Sequence, residues 1–147
     1  MKISTVALFA ILLTAAAGVT GARADILIGV AAPMTGPYAS MGYLTQRTIA
    51  MAVADLNGKG GVLGQRLRTL VVDDYCDPEQ AVAAAHKLVD AGVALVVGHQ
   101  CSGAAIPASK VYAAAGILMF SPGATNPTLT EQGLLNVFRP IGRDDEH

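Results

Sequence analysis

From residue 25 onward, short apolar runs alternate with longer segments whose apolar residues recur at helical spacing. The apolar runs predict buried strands, and the longer segments predict helices. The predicted strands cover residues 25–33, 66–74, 93–98, 117–120 and 134–140. The predicted helices cover residues 43–56, 77–91 and 103–115, with a helical turn at residues 128–132. Because such alternation is typical of βαβ units, we expect an α/β fold in three layers, with a parallel sheet and helices on both faces.

Local start and stop signals support these boundaries. Asp77 is a strong signal for the start of a helix. Its carboxylate can accept hydrogen bonds from the first free amides, and the proline that follows has no N–H to leave unpaired. Gly92 and Gly116 follow helical segments and predict their ends. Ser102 is expected to cap the third helix. Residues 34–42 are rich in Gly, Pro and Ser and predict a loop.

The first residues have the pattern of a secretory signal peptide. Lys2 precedes an apolar run at residues 6–17 that is too short to span a bilayer comfortably, and Ala22-Arg23-Ala24 is a small-x-small cleavage site. We therefore predict a signal peptide over residues 1–24, cleavage after Ala24 and export of residues 25–147. An N-terminal membrane anchor is the alternative. No later apolar run is long enough to cross a membrane.

Charge and cysteine content narrow the functional classes. The chain has 10 basic and 11 acidic residues, and Lys2 and Arg23 leave with the signal peptide, so 8 basic residues remain against 11 acidic ones. No basic patch for nucleic acid is left. The two cysteines of an exported chain, Cys76 and Cys101, predict one disulfide, with a free reactive thiol as the alternative.

The stretches with unusual chemistry all follow predicted strands. They are the loops at residues 33–42, 73–78, 98–103 and 121–127. The carboxyl ends of parallel strands meet at one edge of a sheet, where α/β folds bind their ligands. The sequence therefore predicts a ligand site at this edge.

The loop GHQCSGA at residues 98–104 invites an enzymatic interpretation. A cysteine nucleophile needs a thiolate and a positioned base, which a disulfide-bonded Cys101 does not offer. A Gly-x-Ser-x-Gly elbow around Ser102 requires glycine where Gln100 stands. His99 is expected to be an ordinary surface or hydrogen-bonded residue. We predict no catalytic residue here, and a small exported hydrolase using Cys101 or Ser102 is the enzymatic alternative.

Metal and cofactor motifs are also missing from the sequence. The three histidines are scattered at His86, His99 and His147, and no Cys-x-x-Cys occurs. The turn at residues 31–36 does not match the Gly-x-Gly-x-x-Gly pattern of dinucleotide folds. We therefore predict no metal and no cofactor.

Binding is the chemistry that the loops fit best. Ser102 at a helix start offers a hydroxyl and free backbone amides to an anion such as a carboxylate. Thr125 adds a second hydroxyl. The backbone amides and carbonyls of Gly123 and Ala124 are next to it in sequence. Donors are thus available for a carboxylate, and carbonyl and hydroxyl oxygens for an ammonium. The alternative is that Ser102 only caps its helix and residues 121–126 only form a turn.

Five segments of the chain resemble one known family, in the same order and at similar spacing. They are IGVAAPMTGPYASMG, AVADLNGKGGVLGQRL, DDYCDPEQAVAAAHKLV, VVGHQCSGAAIPAS and GILMFSPGATNPTLTEQG. They are similar to the first half of the branched-chain amino acid binding proteins of ABC importers, the leucine/isoleucine/valine type. The resemblance covers residues 25–147. It implies the N-terminal, Rossmann-like lobe of a type I periplasmic binding protein, which closes over its ligand with a second lobe.

The resemblance implies a role for each candidate site residue. Ser102 and Thr125 would hold the α-carboxylate and the ammonium of a small amino acid or amide, with backbone groups of Gly123 and Ala124. The implied partners are that ligand and the membrane permease of an ABC transporter. The protein would be a periplasmic monomer. A ligand-sensing receptor ectodomain of the same fold is the alternative.

Other positions either match that family or depart from it. Cys76 and Cys101 match two cysteines that form a disulfide in close relatives. Met41 stands where leucine-type members often have a tyrosine, and Gly103 stands where a second serine is common. Met41 is therefore expected to belong to an altered side-chain pocket. Members of the family are considerably longer, so residues 25–147 are expected to form the first lobe without the second.

Overall fold

Strands and helices alternate along the chain in a computed structural model that describes residues 24–146. The strands are β1 (Ile26–Ala32), β2 (Leu67–Asp73), β3 (Leu95–Gly98), β4 (Leu118–Phe120) and β5 (Val137–Phe138). The helices are α1 (Ala39–Gly58), α2 (Pro78–Asp90), α3 (Ser102–Ala114) and α4 (Thr128–Glu131). Neighbouring strands are parallel, in the order β2-β1-β3-β4-β5. The predicted α/β fold with a parallel sheet is confirmed.

The strand register brings the carboxyl ends of the central strands to one edge of the sheet. Ala32 of β1 pairs with Asp73 of β2, and Ala31 pairs with Gly98 of β3. Right-handed crossovers from this strand order place α1 on one face and α2 and α3 on the other. The helices on both faces make the predicted three layers. The loops that leave the strands therefore open at a common edge.

The main core lies between the sheet and the α2–α3 layer. Small side chains let these helices approach the strands closely: a Cβ at Gly29 would lie 3.0 Å from Val96 and 3.2 Å from Leu88. The fully or nearly fully buried hydrophobic residues of these two helices are Ala81, Ala84, Ala85, Leu88, Ala104, Ala105, Ala108 and Tyr112. Close packing of alanine against β-branched strand residues fixes the distance between helices and sheet.

Helix α1 begins earlier than its sequence pattern indicates. The predicted start was Tyr43, with residues 34–42 as a loop, but the helix begins at Ala39. A Cβ at Gly42 would overlap the carbonyl oxygen of Pro33, so only glycine lets the first turn of α1 pass over the end of β1. Gly42, which counted toward the predicted loop, is instead the point where α1 contacts the Pro33 carbonyl.

Most of the predicted helix ends agree with the structure. Asp77 caps α2 by accepting hydrogen bonds from the next two free amides, both at 2.9 Å. Gly92 and Gly116 end α2 and α3 with φ of +70° and +69°. The predicted cap at Ser102 is wrong, because α3 begins at Ser102 itself and Cys101 occupies the capping position.

The predicted signal peptide, apart from Ala24, lies outside the described residues. Within residues 24–146 no helix combines the length and the apolar character that crossing a bilayer requires. The last predicted strand was too long: β5 contains only Val137 and Phe138, and the preceding Leu135 is 94% exposed. Leu134 is partly buried and packs against the core, but within residues 134–140 only Val137 and Phe138 pair with β4.

Candidate ligand-binding site

A disulfide joins two of the loops at the carboxyl edge of the sheet. Cys76 follows β2 and Cys101 precedes α3, and their Cα atoms are 5.4 Å apart. The predicted disulfide is therefore present in the structure. Since the described part of the chain holds no free thiol, Cys101 has no thiolate to offer as a nucleophile. The bond holds the start of α3 against the loop that follows Asp73.

The start of α3 presents unused hydrogen-bond donors. The carbonyl of Cys101 accepts bonds from the third and fourth amides counted from Ser102, at 3.0 and 2.8 Å. The amides of Ser102 and Gly103 have no hydrogen-bond partner among residues 24–146. No acidic side chain occupies the first turn. The positive end of the helix dipole is therefore open to an anion.

The Ser102 hydroxyl links α3 to the loop after β4. Its oxygen accepts a hydrogen bond from the backbone N–H of Asn126 at 3.2 Å. This bond joins the first residue of α3 to a segment 24 residues later in the chain. The hydroxyl hydrogen remains available to donate, since a serine hydroxyl can accept and donate at once. Ser102 and the Thr125 segment therefore lie side by side, as the sequence predicted.

The backbone around Thr125 is fixed by hydrogen bonds, whereas the Thr125 hydroxyl makes none within the described chain. Its carbonyl accepts the N–H of Asp144 at 3.1 Å. On either side of it, the guanidinium of Arg139 donates to the carbonyls of Ala124 at 3.3 Å and Asn126 at 2.8 Å. The Thr125 hydroxyl makes no hydrogen bond with any other described residue. The backbone is therefore fixed around Thr125, while its hydroxyl has no hydrogen-bond partner among residues 24–146.

Gly123 and Ala124, the two predicted backbone contributors, differ in whether the backbone N–H is free to donate. The Ala124 N–H donates to the Ser121 hydroxyl oxygen at 3.2 Å and is engaged within the loop. The Gly123 N–H has no partner among residues 24–146. A Cβ at Gly123 would overlap the side-chain oxygen of Gln100 and lie 3.0 Å from its backbone oxygen, so Gly123 packs closely against Gln100.

Gln100 also connects this loop to the helix that carries Met41. Its amide donates to the hydroxyl of Thr45, which itself donates to the Met41 carbonyl at 3.1 Å. Met41 and Thr45 are one helical turn apart on α1 and so share a face of the helix. The Met41 side chain is 41% exposed. The structure therefore places Met41 at the same edge as the other candidate residues.

Asp73 organises the loop that leaves β1. Its carboxylate accepts the N–H of Met34 at 2.8 Å, the hydroxyl of Thr35 at 2.7 Å and the N–H of Tyr75 at 2.9 Å. Burial acts to raise the pKa of Asp73, but the hydrogen bonds from Thr35, Tyr75 and Met34 outweigh it and hold the pKa below its ordinary value. The carboxylate stays charged and fixes the approach to α1.

A polar group is fully buried beneath the loops. His99 is 0% exposed, with Nδ1 2.6 Å from the Asp74 carboxylate and Nε2 3.1 Å from the Tyr112 hydroxyl. Burial, and then the charge of Asp74, raises the pKa of Tyr112 well above its ordinary value. Of the two expectations for His99, the structure supports the hydrogen-bonded residue and contradicts the surface one.

The sequence predicted the loops that meet at this edge but missed several residues that hold them. These are Thr45, Asp74, Gln100, Ser121 and Arg139. A usable signal existed for Asp74, Ser121 and Arg139, since each directly follows a strand at the same edge. Within residues 24–146, no three His, Cys, Asp or Glu side chains are grouped as metal ligands.

Comparison with known proteins agrees with this architecture. The family model described as periplasmic binding protein matches residues 25–144. An amino acid binding protein of Pseudomonas aeruginosa is 50% identical over 128 residues, which is 86% of this chain and 34% of that protein. The Leu/Ile/Val-binding protein homolog 1 of Brucella abortus is 48% identical over 125 residues, 85% of this chain and 34% of that protein.

A solved structure gives the same result in three dimensions. The ABC transporter substrate-binding protein of Desulfitobacterium hafniense, in complex with Leu, superposes with a TM-score of 0.74 at 40% identity. The match covers 82% of this chain and 35% of that chain. This chain thus spans about a third of the length of the relatives that it matches. The family model matches residues 25–144, and the parallel sheet has the same architecture, so the chain belongs to the periplasmic binding protein family.

Proposed function

We propose that this chain forms one wall of the ligand site in a solute-binding protein of an ABC importer, and that the ligand is a branched-chain amino acid. The observation that carries the proposal is the pairing of Ser102 with the Thr125 loop. Two hydroxyls and the free amides of a helix start lie together there, joined by the bond from Asn126 to Ser102. The ligand class is supported by the Brucella abortus relative, named a Leu/Ile/Val-binding protein homolog, and by the Desulfitobacterium hafniense structure, which is a complex with Leu.

The start of α3 would hold the α-carboxylate of the amino acid. The amides of Ser102 and Gly103 and the hydrogen of the Ser102 hydroxyl are three donors, all unused among residues 24–146. Hydrogen bonds to a charged acceptor are stronger than neutral ones, and the helix dipole adds to them. This wall needs no cationic side chain at the carboxylate, and the guanidinium of Arg139 is already occupied by loop carbonyls.

The Thr125 loop would hold the ammonium group. The hydroxyl oxygen of Thr125 can accept a hydrogen bond from it, and the backbone around Thr125 is fixed by Arg139. The side chain of the ligand would extend toward the first turn of α1. Met41 is 41% exposed there, and Tyr38 is 50% exposed. Together with the second lobe, these exposed side chains would provide apolar contacts for a branched aliphatic side chain.

The remaining parts of the proposal concern location and partners. The N-terminal pattern supports export to the periplasm with cleavage after Ala24. A membrane permease would be the partner, and the protein would act as a monomer. Because the relatives are about three times as long as the matched segment, the opposite wall of the cleft would come from a second lobe of the full-length protein.

Calorimetry of the full-length protein with L-leucine, L-isoleucine and L-valine tests the proposal. Ser102→Ala and Thr125→Ala should each lower affinity by about 1.5–3 kcal/mol, which is roughly 10-fold to 150-fold. Thr48→Ala is the control, because its hydroxyl bonds only the Leu44 carbonyl within α1. Unchanged affinity in both site variants would refute the site, and an unmodified protein that binds none of the three amino acids would refute the ligand class.

A further inference from the structure

A chain of hydrogen bonds crosses three successive loops beneath the candidate site. It begins at Asp74 after β2, continues through His99 after β3 and reaches Ser121 after β4. All three residues are 0% exposed. None of them has a free donor at the surface with which to touch a ligand. Their effect on a ligand must therefore pass through the groups that they hold.

The direction of each bond follows from the donors and acceptors available. The Nδ1 atom of His99 lies 2.6 Å from the Asp74 carboxylate, and the Ser121 hydroxyl donates to the His99 carbonyl at 2.7 Å. Having used its only hydrogen, the Ser121 oxygen accepts the N–H of Ala124 at 3.2 Å. The last bond closes the turn that immediately precedes Thr125.

The far side of the imidazole is anchored as well. Its Nε2 atom lies 3.1 Å from the Tyr112 hydroxyl, which is on α3. The second carboxylate oxygen of Asp74 accepts the N–H of Cys76 at 3.0 Å, beside the disulfide. A buried carboxylate without such partners would be strongly unfavourable, so the Asp74–His99 contact is tightly held. His99 is therefore held by Asp74, which follows β2, and by Tyr112 on α3.

We infer that the buried Asp74–His99 pair is a positioning element for ligand binding, acting through Ser121 on the loop that carries Thr125. The pair fixes the carbonyl of His99, this carbonyl orients the Ser121 hydroxyl, and Ser121 sets the turn at Ala124. The inference rests on the proposed function. It assigns a role in binding to three buried residues that do not touch the ligand.

The first test compares two buried serines in the full-length protein. Ser121→Ala removes the hydroxyl that connects His99 to Ala124. Ser109→Ala is a matched control, because Ser109 is also 0% exposed and its hydroxyl, like that of Ser121, both donates and accepts: it donates to the Ile106 carbonyl at 2.7 Å and accepts the side-chain amide of Gln132 at 3.0 Å. Calorimetry with L-leucine should show a loss of about fivefold to tenfold for Ser121→Ala and less than about twofold for Ser109→Ala.

The second test reads the loop directly, without ligand. Amide hydrogen exchange at Ala124 should become about tenfold faster in Ser121→Ala, since the N–H loses its acceptor, and should not change in Ser109→Ala. His99→Asn keeps an N–H in reach of Asp74 and should restore most of the leucine affinity that His99→Leu loses. If His99→Leu does not fold, the comparison of Ser121→Ala with Ser109→Ala still decides the inference.

The outcomes separate this inference from the proposed function. If the unmodified protein binds L-leucine and Ser121→Ala binds it equally well, the positioning role is refuted and the proposed function stands. If Ser121→Ala and Ser109→Ala lose affinity equally, the effect is one of general stability and the inference is also refuted. If the unmodified protein binds no branched-chain amino acid, the proposed function itself fails, and the inference fails with it.

Discussion

Removing the Cys76–Cys101 bond should destabilise the protein substantially. The two residues are 25 positions apart in sequence. In the chain-entropy model, releasing a loop of this length costs about 3.5 kcal/mol of unfolding free energy. Cys101 occupies the capping position of α3 without a side-chain capping bond. Replacing it with alanine therefore removes the cross-link without removing a cap.

Urea unfolding of the Cys76→Ala/Cys101→Ala variant measures this cost. With a slope of about 2 kcal/mol per molar urea, the midpoint should fall by more than about 1 M. The unmodified protein under a reducing agent is the control, and it should lose the same free energy. Each single variant should lose about as much as the double variant, because either substitution breaks the bond. A double variant within about 1 kcal/mol of the unmodified protein would refute the reasoning.

Three further predictions concern α1, α2 and the last residue of β2. Gly42→Ala should lower the unfolding free energy by about 1–3 kcal/mol, because its Cβ would overlap the Pro33 carbonyl oxygen. Gly58→Ala is the control in the same helix, because a Cβ at Gly58 would meet no atom within 4 Å. It should be neutral or stabilise by up to about 1 kcal/mol. Equal urea midpoints for the two variants would contradict the close approach at Gly42. Asp77→Ala should cost about 1 kcal/mol through loss of the α2 cap, and Asp77→Asn should keep most of it in the same assay. Because the folded pKa of Asp73 is depressed, its stabilising contribution is present above its ordinary pKa of 3.8 and is lost as the pH falls through the lower folded value. Asp73→Asn should therefore weaken the acid dependence of stability, and an unchanged acid profile would count against this.

Local sequence signals predicted the secondary structure well wherever the interaction itself is local. The Asp77 cap involves amides two and three residues away, and it is present as predicted. Gly92 and Gly116 end their helices with positive φ, which glycine adopts without strain. Such features depend on a few neighbouring residues, so a single sequence is sufficient to predict them.

The departures occur where distant contacts override the local pattern. Gly42 indicated a loop, but its role is to let α1 pass over the Pro33 carbonyl. Ser102 indicated a cap, but its hydroxyl accepts the N–H of Asn126, 24 residues away. The partner of Ser102 lies beyond any local window of the sequence. The Pro33 carbonyl is close to Gly42 in sequence, but it blocks a Cβ there only because α1 passes over the end of β1.

The sequence by itself determined that this chain alternates strands and helices and that its polar loops follow the strands. Hydrophobic periodicity carries that information, because burial selects the residues on each face of every element. Only the tertiary structure decided how the loops are held together. The contact between Asp74 and His99 and the bond from the Ser121 hydroxyl to the His99 carbonyl join residues at three strand ends. Such bonds form only after the sheet has brought those ends together, and the physical reason is that a buried polar group takes whichever partner the fold supplies.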